Sequence, residues 1–371
     1  MILMNETELA HLQWSVLCLT ALISLFFGAL LHRSHFCTMG AVSDAVVMEN
    51  FDRLRQWALA LVVAIFGFAV MSYAGLINPL QSVYATKDFL WLSALLGGLL
   101  FGWGMVWASG CGSKTLVRLG AGNLKSLFVL IVMGVVALSA MKGVLAVGRV
   151  TYIDSVKIEM PHGLFAGEWL SHYFNVSLQV GVLGAACIAA LLLLLWVFKD
   201  KNFLTLHNVL TSILVGLVIC GVWWLSGVLG HGMEHPETLE EFFLATSSRK
   251  MEALSFTGPV ALGLDAFMYF SDGTKRLTMG LVSVLGVCAG SFLSAWFQGT
   301  LKLEGFSGAA DMRRHFWGAC LMGVGAVLAM GCSIGQGLSG LSTLSITSMI
   351  ASLSILAGAF AALQRDLRQA V

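Results

Sequence analysis

Long apolar runs alternate with short polar connections along almost the whole chain. A membrane-spanning helix needs about 20 predominantly apolar residues, and nine runs reach or approach that length. They lie near residues 14–31, 57–77, 89–109, 126–147, 178–198, 207–230, 277–297, 315–331 and 346–363. The pattern therefore predicts an all-α integral membrane protein with about nine transmembrane helices.

Four moderately apolar segments between these runs are too short or too interrupted by polar residues to cross a bilayer. They lie at about 36–49, 111–121, 257–271 and 332–344. Irregular backbone survives at membrane depth only where it faces protein or a cavity. We therefore expect four short re-entrant half-helices that enter the membrane and return to the same side.

The composition supports this class and excludes others. The chain of 371 residues is 58% hydrophobic and only 11% charged, whereas a soluble domain carries about 25% charged residues. Its net charge of +1 argues against nucleic acid as a partner and leaves membrane lipid as the surroundings. The eight cysteines show no CxxC spacing, so neither a zinc site nor a disulfide framework is predicted, and no other cofactor is expected.

Basic residues set the expected orientation, because they concentrate on the cytoplasmic side of membrane proteins. Counted through nine spans, one side collects thirteen Lys and Arg residues and the other collects seven. The larger group consists of Arg33, Arg53, Arg55, Lys114, Arg118, Lys125, Lys199, Lys201, Lys302, Arg313, Arg314, Arg365 and Arg368. This count predicts a multi-pass protein of the bacterial inner membrane, with the N-terminus outside and the C-terminus in the cytoplasm.

An internal repeat organises the chain. Residues 102–111 (Gly-Trp-Gly-Met-Val-Trp-Ala-Ser-Gly-Cys) and 323–332 (Gly-Val-Gly-Ala-Val-Leu-Ala-Met-Gly-Cys) share six of ten positions at an offset of 221. Phe36 and Cys37, followed by Asp44, match Phe256 and Thr257, followed by Asp265, at nearly the same offset. We therefore divide the chain into a first repeat (1–175), a linker span (176–206) and a second repeat (207–371).

An odd number of spans between two copies inverts the second copy, as in many transporters. The half-helices would then enter from opposite sides and meet near the midplane, which predicts an hourglass shape. An acidic insertion at about 231–253, with Glu234, Glu237, Glu240 and Glu241, is interpreted as a solvated outer face.

Three of the four interruptions begin at a cysteine, namely Cys37, Cys111 and Cys332, and the fourth carries Thr257. By the symmetry of the repeat these side chains should surround one pathway. The free N–H groups and the dipole at a helix start favour anions, and a neutral thiol or hydroxyl adds a donor without adding charge. The set predicts a binding site for a small anion with a soft, polarisable atom.

Other residues of the interruptions have supporting roles in this hypothesis. Glycine permits close approach of the backbone to a ligand, so Gly110, Gly112 and Gly331 are expected to line the pathway. Lys114 and Arg118, which follow Cys111, are candidates for attracting anions on the cytoplasmic side, although positive-inside topology explains them equally well.

Three motifs resemble the YeeE/YedE family of sulfur-transport membrane proteins. They are His-Phe-Cys-Thr-Met-Gly-Ala at 35–41, Ser-Gly-Cys-Gly at 109–112 and Gly-Cys-Ser-Ile-Gly-Gln-Gly-Leu-Ser-Gly at 331–340. The resemblance implies a thiosulfate importer with nine spans, in which Cys37, Cys111 and Cys332 pass the ion along by S–H···S contacts. It also implies a small soluble sulfur-carrier protein as a cytoplasmic partner.

Several alternatives stay open at this level. The transported species could be sulfite, sulfate or a selenium compound. A membrane thiol oxidoreductase using Cys111 and Cys332 would need Cα atoms less than about 7 Å apart. A soft-metal transporter could use cysteine and methionine, but the apolar spans lack a cluster of carboxylate ligands. We expect a transporter that is not an enzyme.

Overall fold

The structure is a computed structural model that describes residues 6–200, 203–233, 240–272 and 277–370. These residues form fourteen α-helices and two pairs of very short strands. The helices are α1 Glu6–Ser34, α2 Thr38–Val47, α3 Asp52–Tyr73, α4 Trp91–Trp107, α5 Gly112–Gly120, α6 Leu124–Lys142, α7 Val144–Gly148, α8 Ala166–Phe174, α9 Leu178–Phe198, α10 Leu206–Trp224, α11 Thr257–Met268, α12 Met279–Phe297, α13 Ala309–Leu328 and α14 Ile346–Ala370. The predicted all-helical class is confirmed.

The four short strands lie in the loops between helices and pair with one another there. β1 (Asp88–Phe89) pairs antiparallel with β2 (Ile158–Glu159), and Asp88 lies opposite Glu159. β3 (His231–Gly232) pairs antiparallel with β4 (Phe242–Phe243), and His231 lies opposite Phe243.

Eight helical stretches of the described residues are long and apolar enough to cross a membrane. They are Thr7–Val47, Asp52–Tyr73, Trp91–Gly120, Leu124–Lys142, Leu178–Phe198, Leu206–Leu229, Met279–Phe297 and Ile346–Gln369. Large apolar side chains on these helices remain exposed; Leu192 and Leu195 on α9 are 63% and 64% exposed. Such a surface suits lipid rather than water, and the chain is a multi-pass membrane protein.

The predicted span near 315–331 corresponds to α13, which is not among these eight. Three charged residues, Asp311, Arg313 and Arg314, lie near the start of α13. The uncharged part that follows is shorter than the roughly 20 residues that a crossing usually needs. The described residues therefore give eight candidate spans where the sequence predicted nine.

A short helical segment lies in each of the four places where the sequence predicts an interruption. These segments are α2, α5, α11 and the helical turns at 333–342, which include the π-helical stretch Gly335–Gly340. Each follows a longer helix or a loop and is too short to span a bilayer by itself. Their positions agree with the sequence prediction, whereas entry into the membrane remains a proposal.

Glycines of the repeat bring helices of the two halves into close contact. A Cβ atom at Gly102 on α4 would lie 2.1 Å from the Ile355 carbonyl oxygen on α14. At the equivalent position on α13, a Cβ atom at Gly323 would lie 2.7 Å from the Met133 carbonyl oxygen on α6. Each copy of the repeat thus packs on the opposite half of the chain, and only glycine permits this separation.

Candidate functional site

The chain reverses direction just before each of the three predicted pathway cysteines. The residue two positions earlier has a left-handed backbone in every case: His35 (φ 52°), Ser109 (φ 56°) and Met330 (φ 57°). This conformation is unfavourable for residues other than glycine. Non-glycine residues in strained conformations cluster at functional sites, and here each one ends the preceding long helix and turns a cysteine inward.

Each cysteine directly precedes the short helical segment that it introduces. Cys37 is the N-cap residue of α2 and Cys111 is the N-cap residue of α5. Cys332 precedes the turns at 333–342. Cysteine is a poor N-cap compared with Ser, Asn or Asp, and neither Cys37 nor Cys111 makes a side-chain capping bond. A role other than capping therefore explains the thiols of Cys37 and Cys111 better.

The structure brings two of the three thiols into direct contact. The Sγ atoms of Cys37 and Cys111 lie 3.9 Å apart, and the Ser113 hydroxyl lies 3.3 Å from the Cys111 sulfur. All three cysteines are buried, with Cys111 and Cys332 at 0% exposure. All of them are free thiols.

Gly112 connects this thiol pair to the other two predicted side chains. A Cβ atom at Gly112 would lie 3.5 Å from the Thr257 hydroxyl oxygen and 4.0 Å from the Cys332 Cβ atom. Cys332 itself accepts a contact from the Gly335 N–H at 3.4 Å. Thr257 and Cys332 therefore lie near Gly112, the first residue of α5, and Cys37 contacts Cys111, the residue before it.

Thr257 occupies a position slightly different from that of the cysteines. It is the first residue of α11, after the N-cap residue Phe256, whereas the cysteines precede the first residue of their segments. Thr257 therefore corresponds in place to Thr38 and Ser333. Its hydroxyl is fully buried and has a weak contact with the Met133 sulfur at 3.8 Å.

The other two predicted glycines face side chains of their own segment. A Cβ atom at Gly110 would lie 3.2 Å from Lys114 Cγ, and one at Gly331 would lie 3.1 Å from Gln336 Cγ. Gly110 and Gly331 therefore give room to these two longer side chains, whereas Gly112 faces Thr257 and Cys332.

The two basic residues after Cys111 have different environments. Arg118 donates a hydrogen bond to the Ser109 carbonyl oxygen at 2.9 Å, so it holds the chain reversal before Cys111. Lys114 makes no salt bridge with any described residue and lies within electrostatic reach of His35 and Cys37. Of the two predicted candidates for anion attraction, Lys114 fits that role and Arg118 fits a structural one.

Two carboxylates that the sequence prediction left without a role form ion pairs in equivalent places. Asp44 on α2 pairs with Arg53 at 3.2 Å, and Asp265 on α11 pairs with Lys142 at 3.1 Å. Asp44 and Asp265 match within the internal repeat, and that match was the signal available in the sequence. Each pair ties the distal end of a short helix to a longer helix.

The described part of the acidic insertion packs on the loop after α3. Glu241 forms an ion pair with His231 and accepts a hydrogen bond from Gln81. Backbone bonds join Met251 to Gln81 and Val83. Glu234 and Glu237 lie outside the described residues. This loop therefore carries structural contacts in addition to its predicted solvated face.

The loop after α3 also reaches the segment that follows Cys332. The Tyr84 hydroxyl donates a hydrogen bond to the Gly335 carbonyl oxygen.

No group of three or more His, Cys, Asp or Glu side chains among the described residues is placed to hold a metal ion.

These features define a membrane protein whose buried centre presents thiols and hydroxyls at the starts of short helices. The chain matches the model of the sulphur-transport family over residues 33–361. It therefore belongs to this family, the YeeE/YedE family that its cysteine motifs resemble.

Two characterised relatives are similar over most of their length. The chain is 27% identical over 334 residues to the thiosulfate transporter TsuA of Escherichia coli (strain K12). This alignment covers 84% of the chain and 83% of the relative. It is 26% identical over 344 residues to the thiosulfate transporter TsuA of Spirochaeta thermophila, which covers 91% of this chain and 95% of the relative. Both relatives are named as transporters.

Proposed function

We propose that this protein imports a small sulfur-containing anion, most simply thiosulfate, across the bacterial inner membrane. The ion would pass Cys332, then Cys111, then Cys37. The observation that carries the proposal is the arrangement of three buried free thiols around the N-terminus of α5, with Cys37 and Cys111 in contact. The family and the names of two relatives support the choice of substrate.

The chemistry of the site suits thiosulfate. A neutral S–H group is a weak hydrogen-bond donor. The soft terminal sulfur of thiosulfate is a polarisable acceptor and is similar in size to the sulfur of the thiol. Weak, serial contacts let an ion leave each position, which transport requires. No covalent bond forms in this scheme, so the protein acts as a transporter rather than an enzyme.

The contact between Cys37 and Cys111 implies a closed pathway. Two sulfur atoms 3.9 Å apart leave no room for an ion between them. Passage therefore requires rotation of one of the two side chains, and the arriving anion would supply a new acceptor for the thiol that turns away.

The membrane arrangement is part of the same proposal. We place α13 across the membrane as a ninth span, because it packs along α4 and α6, which are both candidate spans. The short segments would enter the membrane from opposite sides in two inverted repeats, 1–175 and 207–371, joined by 176–206, and would give the molecule an hourglass shape. The N-terminus would lie outside and the C-terminus in the cytoplasm.

On the cytoplasmic side, a small sulfur-carrier protein would receive the ion. Lys114 lies near His35 and Cys37, and its positive charge would draw the anion from the last thiol toward the carrier.

Growth of a sulfur-auxotrophic bacterium that expresses the protein tests the substrate. We expect growth on thiosulfate as sole sulfur source and no growth above the vector control on sulfate or sulfite. A strain with Cys111→Ala at equal expression is the matched control and should not grow on thiosulfate. Growth on sulfate or sulfite in preference to thiosulfate would contradict the substrate assignment.

One observation favours a second candidate, a thiol oxidoreductase. The contacting pair is Cys37 and Cys111, rather than the Cys111 and Cys332 pair considered from the sequence. Such an enzyme would convert these two thiols to a disulfide, releasing two protons and passing two electrons to a quinone. A disulfide that forms with added quinone and no other oxidant would favour this candidate; a pair that stays reduced would favour the transporter.

A further inference from the structure

The hydroxyl of Ser333 is buried beside the thiols and has no hydrogen-bond partner. Ser333 directly follows Cys332, and its side chain is 2% exposed. Its Oγ atom makes no hydrogen bond with any described residue. The Ser333 side chain comes within hydrogen-bonding reach of the Cys111 sulfur, but not in the geometry of a hydrogen bond.

The neighbouring hydroxyls of the same segment are satisfied. Ser339 donates to the Leu254 carbonyl oxygen at 2.7 Å, and Ser342 donates to the Ser339 carbonyl oxygen at 2.6 Å. Thr343 donates to the Gly340 carbonyl oxygen at 2.7 Å. Of the four hydroxyls between Ser333 and Thr343, only the one next to the thiols is unpaired.

A buried polar group without a partner costs free energy, and such groups are rare in folded proteins. The cost is accepted where a ligand or a water completes the bond. Sulfur oxyanions have two different ends: a soft sulfur that suits a thiol, and hard oxygens that prefer an O–H or N–H donor. The thiols alone leave the oxygens of such an ion without a donor.

We propose that Ser333 donates its hydroxyl hydrogen to an oxygen of the transported anion while the soft sulfur of that anion lies against Cys332 or Cys111. Ser333 is then a specificity residue for oxygen-bearing sulfur anions. This inference rests on the proposed function, because it names a contact for the same substrate.

The test compares two serine variants of the purified full-length protein in liposomes. Ser333→Ala removes the unpaired hydroxyl, and Ser339→Ala removes a paired hydroxyl of the same segment. The measurements are the KM and maximal rate for ³⁵S-thiosulfate uptake, together with the Tm in detergent with and without thiosulfate.

For Ser333→Ala we expect the KM to rise about tenfold or more, the usual effect of losing a hydrogen bond to a charged group. Its Tm without thiosulfate should stay the same or rise, because an unsatisfied group has been removed. The increase in Tm that thiosulfate produces should shrink. Ser339→Ala should show the opposite pattern, with a lower Tm and a KM near the wild-type value.

A wild-type KM in Ser333→Ala would overturn the inference, since a buried water would then be the partner of the hydroxyl. A lower Tm without thiosulfate would also overturn it, because the hydroxyl would then have a structural role. Measurements on the wild-type protein distinguish a failure of this inference from a failure of the proposed function. If the wild-type protein neither takes up thiosulfate nor gains Tm from it, the proposed function fails; if it does both, only the variant decides on Ser333.

Discussion

The chain reverses direction in nearly the same way before Cys111 and before Cys332, but the segments after these two cysteines differ. Before Cys111, the N–H groups of Ala108 and Gly110 bond to the carbonyl oxygens of Gly104 and Met105 at 2.8 and 2.9 Å. Before Cys332, Ala329 and Gly331 make the equivalent bonds to Gly325 and Ala326 at 2.8 Å each. The turn that presents the thiol is therefore common to both halves.

After the cysteines the two halves diverge. Cys111 is followed by Gly112 and by the regular α-helix α5, which carries Lys114 and Arg118. Cys332 is followed by Ser333 and by the π-helical stretch Gly335–Gly340. Such π-helical insertions are frequent at functional sites.

The segments after Cys111 and Cys332 thus place different groups beside two thiols that the same turn presents. In the proposed pathway, the shared turn would place a thiol beside the ion, and the following segment would determine which other groups the ion meets. The first half offers space at Gly112 and positive charge at Lys114. The second half offers neutral donors. A dianion entering from the second half would therefore meet hydroxyl and thiol groups first and a positive charge last.

The largest effect that would test this comparison is expected from Gly112→Ala. The added methyl group would lie at ordinary contact distance from Thr257 and Cys332, so the fold should tolerate it. It would project toward Thr257 and Cys332, where the ion is proposed to pass, and uptake should fall to near background with an unchanged Tm. Gly258→Ala, in open space on α11, is the control and should retain uptake. Normal uptake by Gly112→Ala would mean that the ion takes another route.

The next largest effect is expected from oxidative crosslinking of Cys37 with Cys111. Cys37 and Cys111 are 3.9 Å apart at sulfur, and a disulfide needs about 2.05 Å, so a small side-chain rotation joins them. With an added copper oxidant, we expect this disulfide to form, to block uptake and to be reversed by a thiol reductant. Mass spectrometry of the peptides identifies the pair. Cys332→Ala should still crosslink, whereas Cys37→Ala should not; a Cys111–Cys332 disulfide would contradict the arrangement.

A smaller effect is expected from the charge that only the first half carries. Lys114 is partly exposed, and exposed charges contribute up to about 1 kcal/mol. Lys114→Gln should therefore raise the KM for thiosulfate about fivefold at low salt, with less effect at high salt because ions screen exposed charges. Lys114→Arg is the matched control and should keep the KM near the wild-type value. A KM for Lys114→Gln that is independent of salt would argue against electrostatic attraction.

The smallest effect concerns the turn that both halves share. Ser109 and Met330 have left-handed backbones with φ of 56° and 57°, a conformation that costs a non-glycine residue about 1 kcal/mol. Ser109→Gly and Met330→Gly should each raise the Tm by about one to two degrees, and the two gains should be similar. A gain for one variant and a loss for the other would show that the two turns are not equivalent.

Much of the fold follows from the sequence because the lengths of apolar runs and the internal repeat are local properties. The four short segments lie where the runs are too short to span a bilayer, and three of them follow directly after a cysteine. The span near 315–331 was harder to predict, because Asp311, Arg313 and Arg314 lie within the helix that contains it.

The geometry of the site depends on contacts between distant residues, and the sequence does not contain these directly. The contact of Cys37 with Cys111 arises from the packing of two turns that are 74 positions apart. The unpaired hydroxyl of Ser333 is visible only once its neighbours Ser339 and Ser342 are seen to have partners. The match of Asp44 and Asp265 within the repeat indicates that the two carboxylates have equivalent roles. It does not identify the basic residues that pair with them, Arg53 and Lys142.

Uptake of ³⁵S-thiosulfate by liposomes that contain purified Cys111→Ala, beside Cys111→Ser and the wild-type protein, tests the central claim most directly. Cys111 follows the chain reversal at the start of α5, and its sulfur contacts that of Cys37, so removing it interrupts the proposed series of thiols. The account predicts rapid uptake by the wild-type protein, background uptake by Cys111→Ala, and poor rescue by Cys111→Ser, which keeps a donor but loses the soft sulfur. Wild-type uptake by Cys111→Ala at equal reconstitution would contradict the passage of the ion along the thiols.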